Sequence, residues 1–138
     1  MNGEQIFWPM FCQVALTYAI YGVASSRRMN AIKSGAAKPS DFRIPNVEPV
    51  PSATALRSLT NQFELPVLFY ACCLTLFVLG ATSTFALVLA WLFALLRIAH
   101  AYVHVTSNKL RYRRPLFIAG FFALAGLWLM VLYRLAIG

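Results

Sequence analysis

The chain has 138 residues, of which 60% are hydrophobic and only 12% charged, and its mean hydropathy is +0.68. A soluble domain carries about 25% charged residues, so this composition excludes an ordinary water-soluble domain and indicates a membrane protein. The formal net charge of +8 does not indicate nucleic-acid binding, because the basic residues fall in the gaps between apolar segments, where they are typical of membrane topology.

The first apolar segment covers residues 6–26, and a loop is predicted over residues 27–54. About 20 helical residues cross the hydrocarbon core of a bilayer, so the segment is long enough to span it. Glu4 precedes the segment and Arg27 and Arg28 follow it, which is the reverse of the charge order in a secretory signal. We therefore predict a retained span. Four prolines exclude a single helix across the loop: Pro39, Pro45, Pro49 and Pro51.

Three further apolar segments are predicted as helices, over residues 55–81, 84–106 and 115–137. Trp128 and Tyr133 lie toward the end of the last one, where an aromatic belt is expected. The whole chain, residues 1–138, is thus predicted to be one all-α membrane domain, a four-helix bundle with up-down topology. The three cysteines lie within apolar segments and are predicted to be buried hydrophobic residues without metal or disulfide partners: Cys12, Cys72 and Cys73.

Basic residues are concentrated in two of the three predicted loops. Residues 27–54 include five, and residues 107–114 include four, whereas residues 80–84 carry no charge. The first and third loops of a four-span protein lie on the same side of the membrane, and the positive-inside rule makes that side cytoplasmic. We therefore predict a multi-pass protein with cytoplasmic basic loops.

Polar residues within the second and third spans are the candidate functional residues. Arg57, Asn61 and Glu64 are spaced i, i+4, i+7 and share one face of a continuous helix. Arg97 and His100 lie at a matching depth on the third span, so we expect Glu64 and Arg97 to share an ion-pair network. Ionisable residues inside a membrane often mark functional sites. The alternative is that the network only fixes helix register, and Arg57 could extend to the interface.

The only two histidines, His100 and His104, are spaced i, i+4. This spacing can bind a metal on one helix face. No cysteine or aspartate close in sequence completes a ligand set, so we predict no metal site and neutral, hydrogen-bonding imidazoles.

The polar residues occur in a recognisable order along the chain. The stretch Arg57-Ser-Leu-Thr-Asn61-Gln-Phe-Glu64-Leu-Pro66 resembles the second-helix signature of the MAPEG family, the membrane-associated proteins in eicosanoid and glutathione metabolism. Three further stretches resemble its microsomal glutathione transferase branch and bacterial relatives: Arg97-Ile-Ala-His100, Arg114-Pro-Leu-Phe and Tyr133-Arg134-Leu. The pair Arg27-Arg28 is similar to the basic pair of the leukotriene synthase branch.

The resemblance implies a homotrimer in a bacterial inner membrane, in contact with lipids, with active sites between subunits near the cytoplasmic face. There the thiolate of glutathione, the co-substrate, would attack lipophilic electrophiles or reduce lipid hydroperoxides. Carried over by position, the glutathione-binding residues would be Arg57, Asn61, Glu64, Arg97, His100 and Tyr102. Lys109 would lie near the thiolate-stabilising cation of the synthase branch, and Arg27 or Arg28 near a second active-site arginine, so these three are the candidate catalytic residues.

Several positions depart from the family pattern. Pro66 comes one residue early, Leu65 and Ile98 stand where the synthase branch has tyrosines, and Lys109 is a point charge instead of a planar fork. These departures favour the alternative, a non-catalytic MAPEG-like membrane protein that binds lipids or a partner. A small multidrug exporter also has four spans, but its glutamate lies in the first span and its loops are short.

Overall fold

The computed structural model describes residues 2–44 and 47–138. After one turn of 3-10 helix at Gly3–Ile6, helix α1 covers Phe7–Lys33. It continues two turns beyond the predicted end at residue 26, so Arg27 and Arg28 lie on the helix and not in the loop. Gly35, with a φ of +78°, follows the end of the helix in the left-handed region that favours glycine. The predicted loop is correspondingly shorter and contains a second 3-10 turn at Pro39–Phe42.

The second span was predicted as one helix over residues 55–81, and the structure divides it in two. Helix α2 covers Val50–Asn61 and helix α3 covers Leu65–Val78. Pro66 lacks an amide hydrogen and its ring would clash with the carbonyl one turn earlier in a continuous helix. Glu64 therefore adopts a non-helical conformation with φ −97° and ψ −103°, and it caps α3 instead of lying inside a longer helix.

Helices α4, Thr84–Val105, and α5, Leu110–Ile137, complete the bundle. Over residues 2–44 and 47–138, four helical segments are long and apolar enough to cross a membrane, namely Gly3–Lys33, Val50–Val78, Thr84–Val105 and Leu110–Ile137. No strand occurs in the described ranges. The prediction of an all-α protein with four membrane-spanning segments is therefore confirmed.

Contacts at the two ends of the bundle establish its up-down order. At one end, Arg27 of α1 bonds to the side chain of Thr54 on α2 and to the carbonyl of Val105 on α4. At the other end, the rings of Phe7 and Phe77 lie 4.8 Å apart between centroids. Both basic loops consequently lie at the first of these ends, here named the basic end.

The apolar core is built from close helix contacts. The rings of Phe69 on α3 and Phe93 on α4 stack at 4.4 Å, and Leu76 and Leu127 are fully buried beside them. Small residues let α4 and α5 approach each other: a Cβ added at Gly126 would lie 3.2 Å from a methyl group of Leu89.

Candidate functional site

The break between α2 and α3 leaves polar groups buried in the half of the bundle that includes the basic end. Arg97 of α4 is only 1% exposed, and its Nη2 donates a hydrogen bond to the backbone oxygen of Asn61 at 3.1 Å. This carbonyl lies at the end of α2, where helical partners run out. Two further nitrogens of Arg97, Nε and Nη1, are buried and have no hydrogen-bond partner within the described chain.

The prediction of an ion pair between Glu64 and Arg97 was wrong. Within the described residues, the ion pair of Arg28 with Glu48 is the only one closer than 4 Å. The i, i+7 spacing would place Glu64 on the same face as Arg57 and Asn61 only if α2 continued through residue 64. Because the helix stops at Asn61, Glu64 turns outward and is exposed.

Glu64 instead lines a cavity of about 250 Å³ at the basic end, together with Asn61 and His100. The other wall comes from the start of α5: Leu110, Arg113, Arg114 and Phe117. We name this space the polar cavity. It brings together three predicted binding residues with two arginines, Arg113 and Arg114, that had not been assigned to a binding site.

The histidines lie on the α4 wall of this region. His100 is buried, its Nδ1 lacks a hydrogen-bond partner within the described chain, and its ring lies 5.7 Å from the ring of Phe117. His104, one turn later, has its Nδ1 3.5 Å from the side-chain nitrogen of Asn61. Among the described residues, no three histidine, cysteine, aspartate or glutamate side chains lie close enough to hold a metal ion.

Six of the nine predicted glutathione-binding or catalytic residues lie outside the lining of the polar cavity, and three of these six are exposed side chains. Arg57 is exposed on α2, one turn before Asn61. Tyr102 is 69% exposed, and Lys109 is exposed immediately before α5. Within a single chain, the structure therefore brings none of these three side chains into contact with the cavity.

The arginine pair of α1 is engaged elsewhere. Arg28 forms a two-pronged ion pair with Glu48, with both N–O distances 2.8 Å, and its guanidinium lies 5.3 Å from the centre of the Phe42 ring. Ser52 also donates to Glu48, at 2.6 Å. The hydrogen bond from Arg28 holds the pKa of Glu48 below its ordinary value. The pair thus fastens the first loop to the end of α1.

A buried amide pair next to the helix break was not singled out from the sequence. Gln13 of α1 donates to the side-chain oxygen of Gln62 at 2.8 Å, and Gln62 donates to the backbone oxygen of Ser58 at 3.0 Å. Both side chains are buried. A glutamine within an apolar span is a signal in itself, because interhelical hydrogen bonds stabilise polar groups in membranes. The pair fixes the break against α1.

Fold and site together define a four-span membrane protein with a charged cavity at its basic end. A family model described as the MAPEG family matches residues 6–133, nearly the whole chain. The chain therefore belongs to the MAPEG family, as the sequence motifs indicated, and is a membrane protein related to glutathione and eicosanoid metabolism. No curated protein and no solved structure matches the chain.

Proposed function

We propose that the protein is a glutathione-dependent membrane transferase or peroxidase that acts on lipophilic electrophiles or lipid hydroperoxides. The observation that carries this proposal is the charge pattern of the polar cavity. Its lining offers one carboxylate, Glu64, and two guanidinium groups, Arg113 and Arg114. Glutathione at neutral pH has the complementary set of one ammonium and two carboxylates.

The types of side chain suit a tripeptide ligand. Guanidinium groups bind carboxylates through two parallel hydrogen bonds, and the carboxylate of Glu64 would accept hydrogen bonds from the ammonium. Asn61 and His100 line the same space and supply neutral hydrogen-bonding groups for the peptide bonds. Arg97 would act from behind this wall, since it already holds the carbonyl of Asn61 and adds positive charge.

The chemistry requires an ionised thiol, because the thiolate is the nucleophile and nearby cations lower the pKa of a thiol. Arg113 and Arg114 face the two carboxylates in this arrangement, so Arg97, with two buried nitrogens that have no partner within the described chain, replaces Lys109 as the proposed source of the thiolate-stabilising charge. In the transferase reaction the sulfur forms a bond to an electrophilic carbon, and the leaving group departs with its electron pair. In the peroxidase reaction two glutathione molecules are oxidised to the disulfide, and the hydroperoxide is reduced to alcohol and water.

The cavity of about 250 Å³ falls just below the roughly 300 Å³ at which ligand pockets usually begin. We propose that a neighbouring subunit of a homotrimer supplies the remaining wall, and that Arg57, Tyr102, Lys109 or the arginines of α1 reach the site only in that assembly. We further propose that the basic end faces the cytoplasm of a bacterial cell, because positively charged loops are retained on that side.

A second candidate function is a non-catalytic MAPEG-like protein that binds lipids or a partner. One observation favours it: Arg27 and Arg28, the predicted catalytic pair, both have partners within the chain. A cation that is already paired contributes less to the ionisation of a substrate thiol than an unpaired one.

Turnover measurements on the detergent-solubilised protein test the proposal. We expect glutathione to be conjugated to 1-chloro-2,4-dinitrobenzene or oxidised by cumene hydroperoxide, with rates that saturate in glutathione. Cysteine at the same concentration lacks the two flanking residues and should support little turnover. Glutathione binding without either reaction would support the second candidate, and the absence of both binding and turnover would exclude the proposed enzyme.

A further inference from the structure

A second cavity lies beside the polar one, along the start of α5. It measures about 590 Å³ and is lined by Leu110, Arg111, Arg114, Pro115, Ile118 and Ala119. We name it the arginine groove. Its charged side chains, Arg111 and Arg114, lie in the first two turns of α5, and most of its apolar side chains follow them along the helix. This is the order of headgroup and acyl chain in a phospholipid.

The groove has positive charge without an internal counterion. Arg111 and Arg114 are both exposed, and neither is part of the one ion pair found in the described residues. The guanidinium of Arg111 lies 5.9 Å from the ring centre of the adjacent Tyr112, and it has no hydrogen bond to any other described residue. Arg28, by contrast, is paired with Glu48. The charge at the start of α5 is therefore available to an external anion.

The length of α5 places these arginines at the membrane surface. Its 28 residues correspond to about 42 Å at 1.5 Å per residue, roughly 12 Å more than the hydrocarbon core. The start of the helix is its charged end, so Arg111 and Arg114 lie within the excess length at the level of the headgroups. Ile118 and Ala119 then lie about 6–12 Å further along the helix axis, at the level where acyl chains begin.

We propose that the arginine groove binds an anionic phospholipid, with the phosphate held between Arg111 and Arg114 and an acyl chain along Pro115, Ile118 and Ala119. Basic pockets next to membrane-spanning helices recognise anionic headgroups in this way, and guanidinium groups match phosphate geometry. This inference goes beyond the proposed enzyme function. The two sites share Arg114, so lipid binding is tested in the absence of glutathione.

The opposite end of α5 provides a matched comparison within the same chain. A groove of about 530 Å³ there is similarly apolar, but its lining includes a single cation, Arg134, next to Tyr133. If apolar shape alone held lipids, the two grooves would bind neutral and anionic lipids alike. If the two neighbouring arginines, Arg111 and Arg114, select the headgroup, only the arginine groove should prefer anionic lipid.

Native mass spectrometry of the protein in a non-ionic detergent tests this site, with dioleoyl phosphatidylglycerol and dioleoyl phosphatidylcholine added in equal amounts and no glutathione present. We expect adducts of the anionic lipid to predominate. Arg111→Gln should lower that preference about fivefold, the contribution of one basic residue near a membrane surface. Arg134→Gln, the matched control, should leave the preference unchanged.

Two further measurements separate a lipid site from simple charge attraction. Ala119→Trp fills the apolar part of the groove and keeps both arginines, so it should reduce the anionic adducts. Inorganic phosphate at the concentration of the lipid should not displace them, because it lacks the acyl chain. Equal retention of the two lipids by the unmodified protein, as expected if a second copy of the chain covers the groove, would overturn the proposal. A preference that survives Arg111→Gln or Ala119→Trp, or that phosphate abolishes, would also overturn it.

Discussion

The two ends of this bundle are held together by different interactions. At the end opposite the basic loops, aromatic and aliphatic side chains pack without polar partners, as in the contact of Phe7 with Phe77 and the burial of Leu76. At the basic end, polar contacts join the helices, and one of them links Arg97 to the carbonyl of Asn61.

The two ends also differ in how many buried polar atoms lack a hydrogen-bond partner, and such atoms are available to bind a ligand. Arg97 and His100 keep three buried nitrogens without partners in the described residues, whereas at the apolar end the hydroxyl of Thr82 is a single such group. Buried polar groups nearly always have partners in native proteins, so such exceptions call for a ligand or bound water. We therefore assign stability mainly to the apolar end and ligand binding to the basic end.

The largest expected effect tests the stabilising role of the apolar end. Leu76→Ala should lower the free energy of unfolding by about 2 kcal/mol, the low end for a buried leucine, because in a bilayer lost packing dominates. Leu74→Ala on the same helix is the control, since Leu74 is 48% exposed and Leu76 is fully buried. Unfolding by dodecyl sulfate in mixed micelles measures both. Equal effects of the two substitutions would remove the basis for placing stability in this core.

An intermediate effect is expected at the basic end, on affinity instead of stability. Arg114→Gln should raise the dissociation constant of glutathione about tenfold, because one charge-assisted hydrogen bond contributes about 1.5 kcal/mol. Arg134→Gln is the control, since Arg134 lies in the last turn of α5, at the opposite end from the cavity, and Lys109→Gln tests the sequence-based assignment of Lys109. Calorimetric titration compares the three variants. A loss of affinity in Lys109→Gln alone would restore the sequence-based assignment of Lys109 and contradict the cavity assignment.

The smallest expected effect concerns the first loop at the same end. Glu48→Gln should weaken the attachment of the loop to Arg28 by at most about 1 kcal/mol, because the pair is partly exposed. The pKa of Glu48 is lowered in the folded protein, so its stabilising contribution is present above the ordinary value of 4.5. That contribution is lost as the pH falls through the lower folded pKa.

Limited proteolysis of the loop at decreasing pH measures this contribution. Cleavage within residues 34–44 should accelerate in the unmodified protein as the pH falls below the ordinary value of 4.5, and the pH dependence should be weaker in Glu48→Gln. Glu4→Gln serves as the control, because Glu4 lies at the opposite end of the bundle. An unchanged pH profile in Glu48→Gln would show that the ion pair does not fasten the loop.

The sequence predicted the spans well because apolar length and loop charge are properties of the chain itself. It also identified Asn61, Glu64 and His100, which do share one cavity. It could not predict the helix break, because a proline such as Pro66 is compatible with either a kinked helix or the first turn of a new one. Which of these two geometries the chain adopts determines the direction of the Glu64 side chain.

The place of the α5 arginines in the cavity was missed for a different reason, although Arg114 begins one of the stretches that resemble the family. Arg113 and Arg114 belong to a basic loop by sequence, and the positive-inside rule accounts for them without any ligand. Only the packing of α5 beside the α2–α3 break shows that they face Glu64 across a cavity. Which residues of α5 face α2 and α3 depends on the rotation of α5 about its axis. Apolar periodicity does not predict that rotation, because α5 has apolar residues on every side.

We propose that the polar cavity binds glutathione through complementary charges. Calorimetric titration of the solubilised protein with glutathione up to millimolar concentration, on Glu64→Gln and Glu4→Gln in parallel with the unmodified chain, tests it most directly. Saturable binding that is weakened about tenfold in Glu64→Gln and unaltered in Glu4→Gln is the predicted result. No binding to the unmodified chain, or equal binding to both variants, would contradict the account.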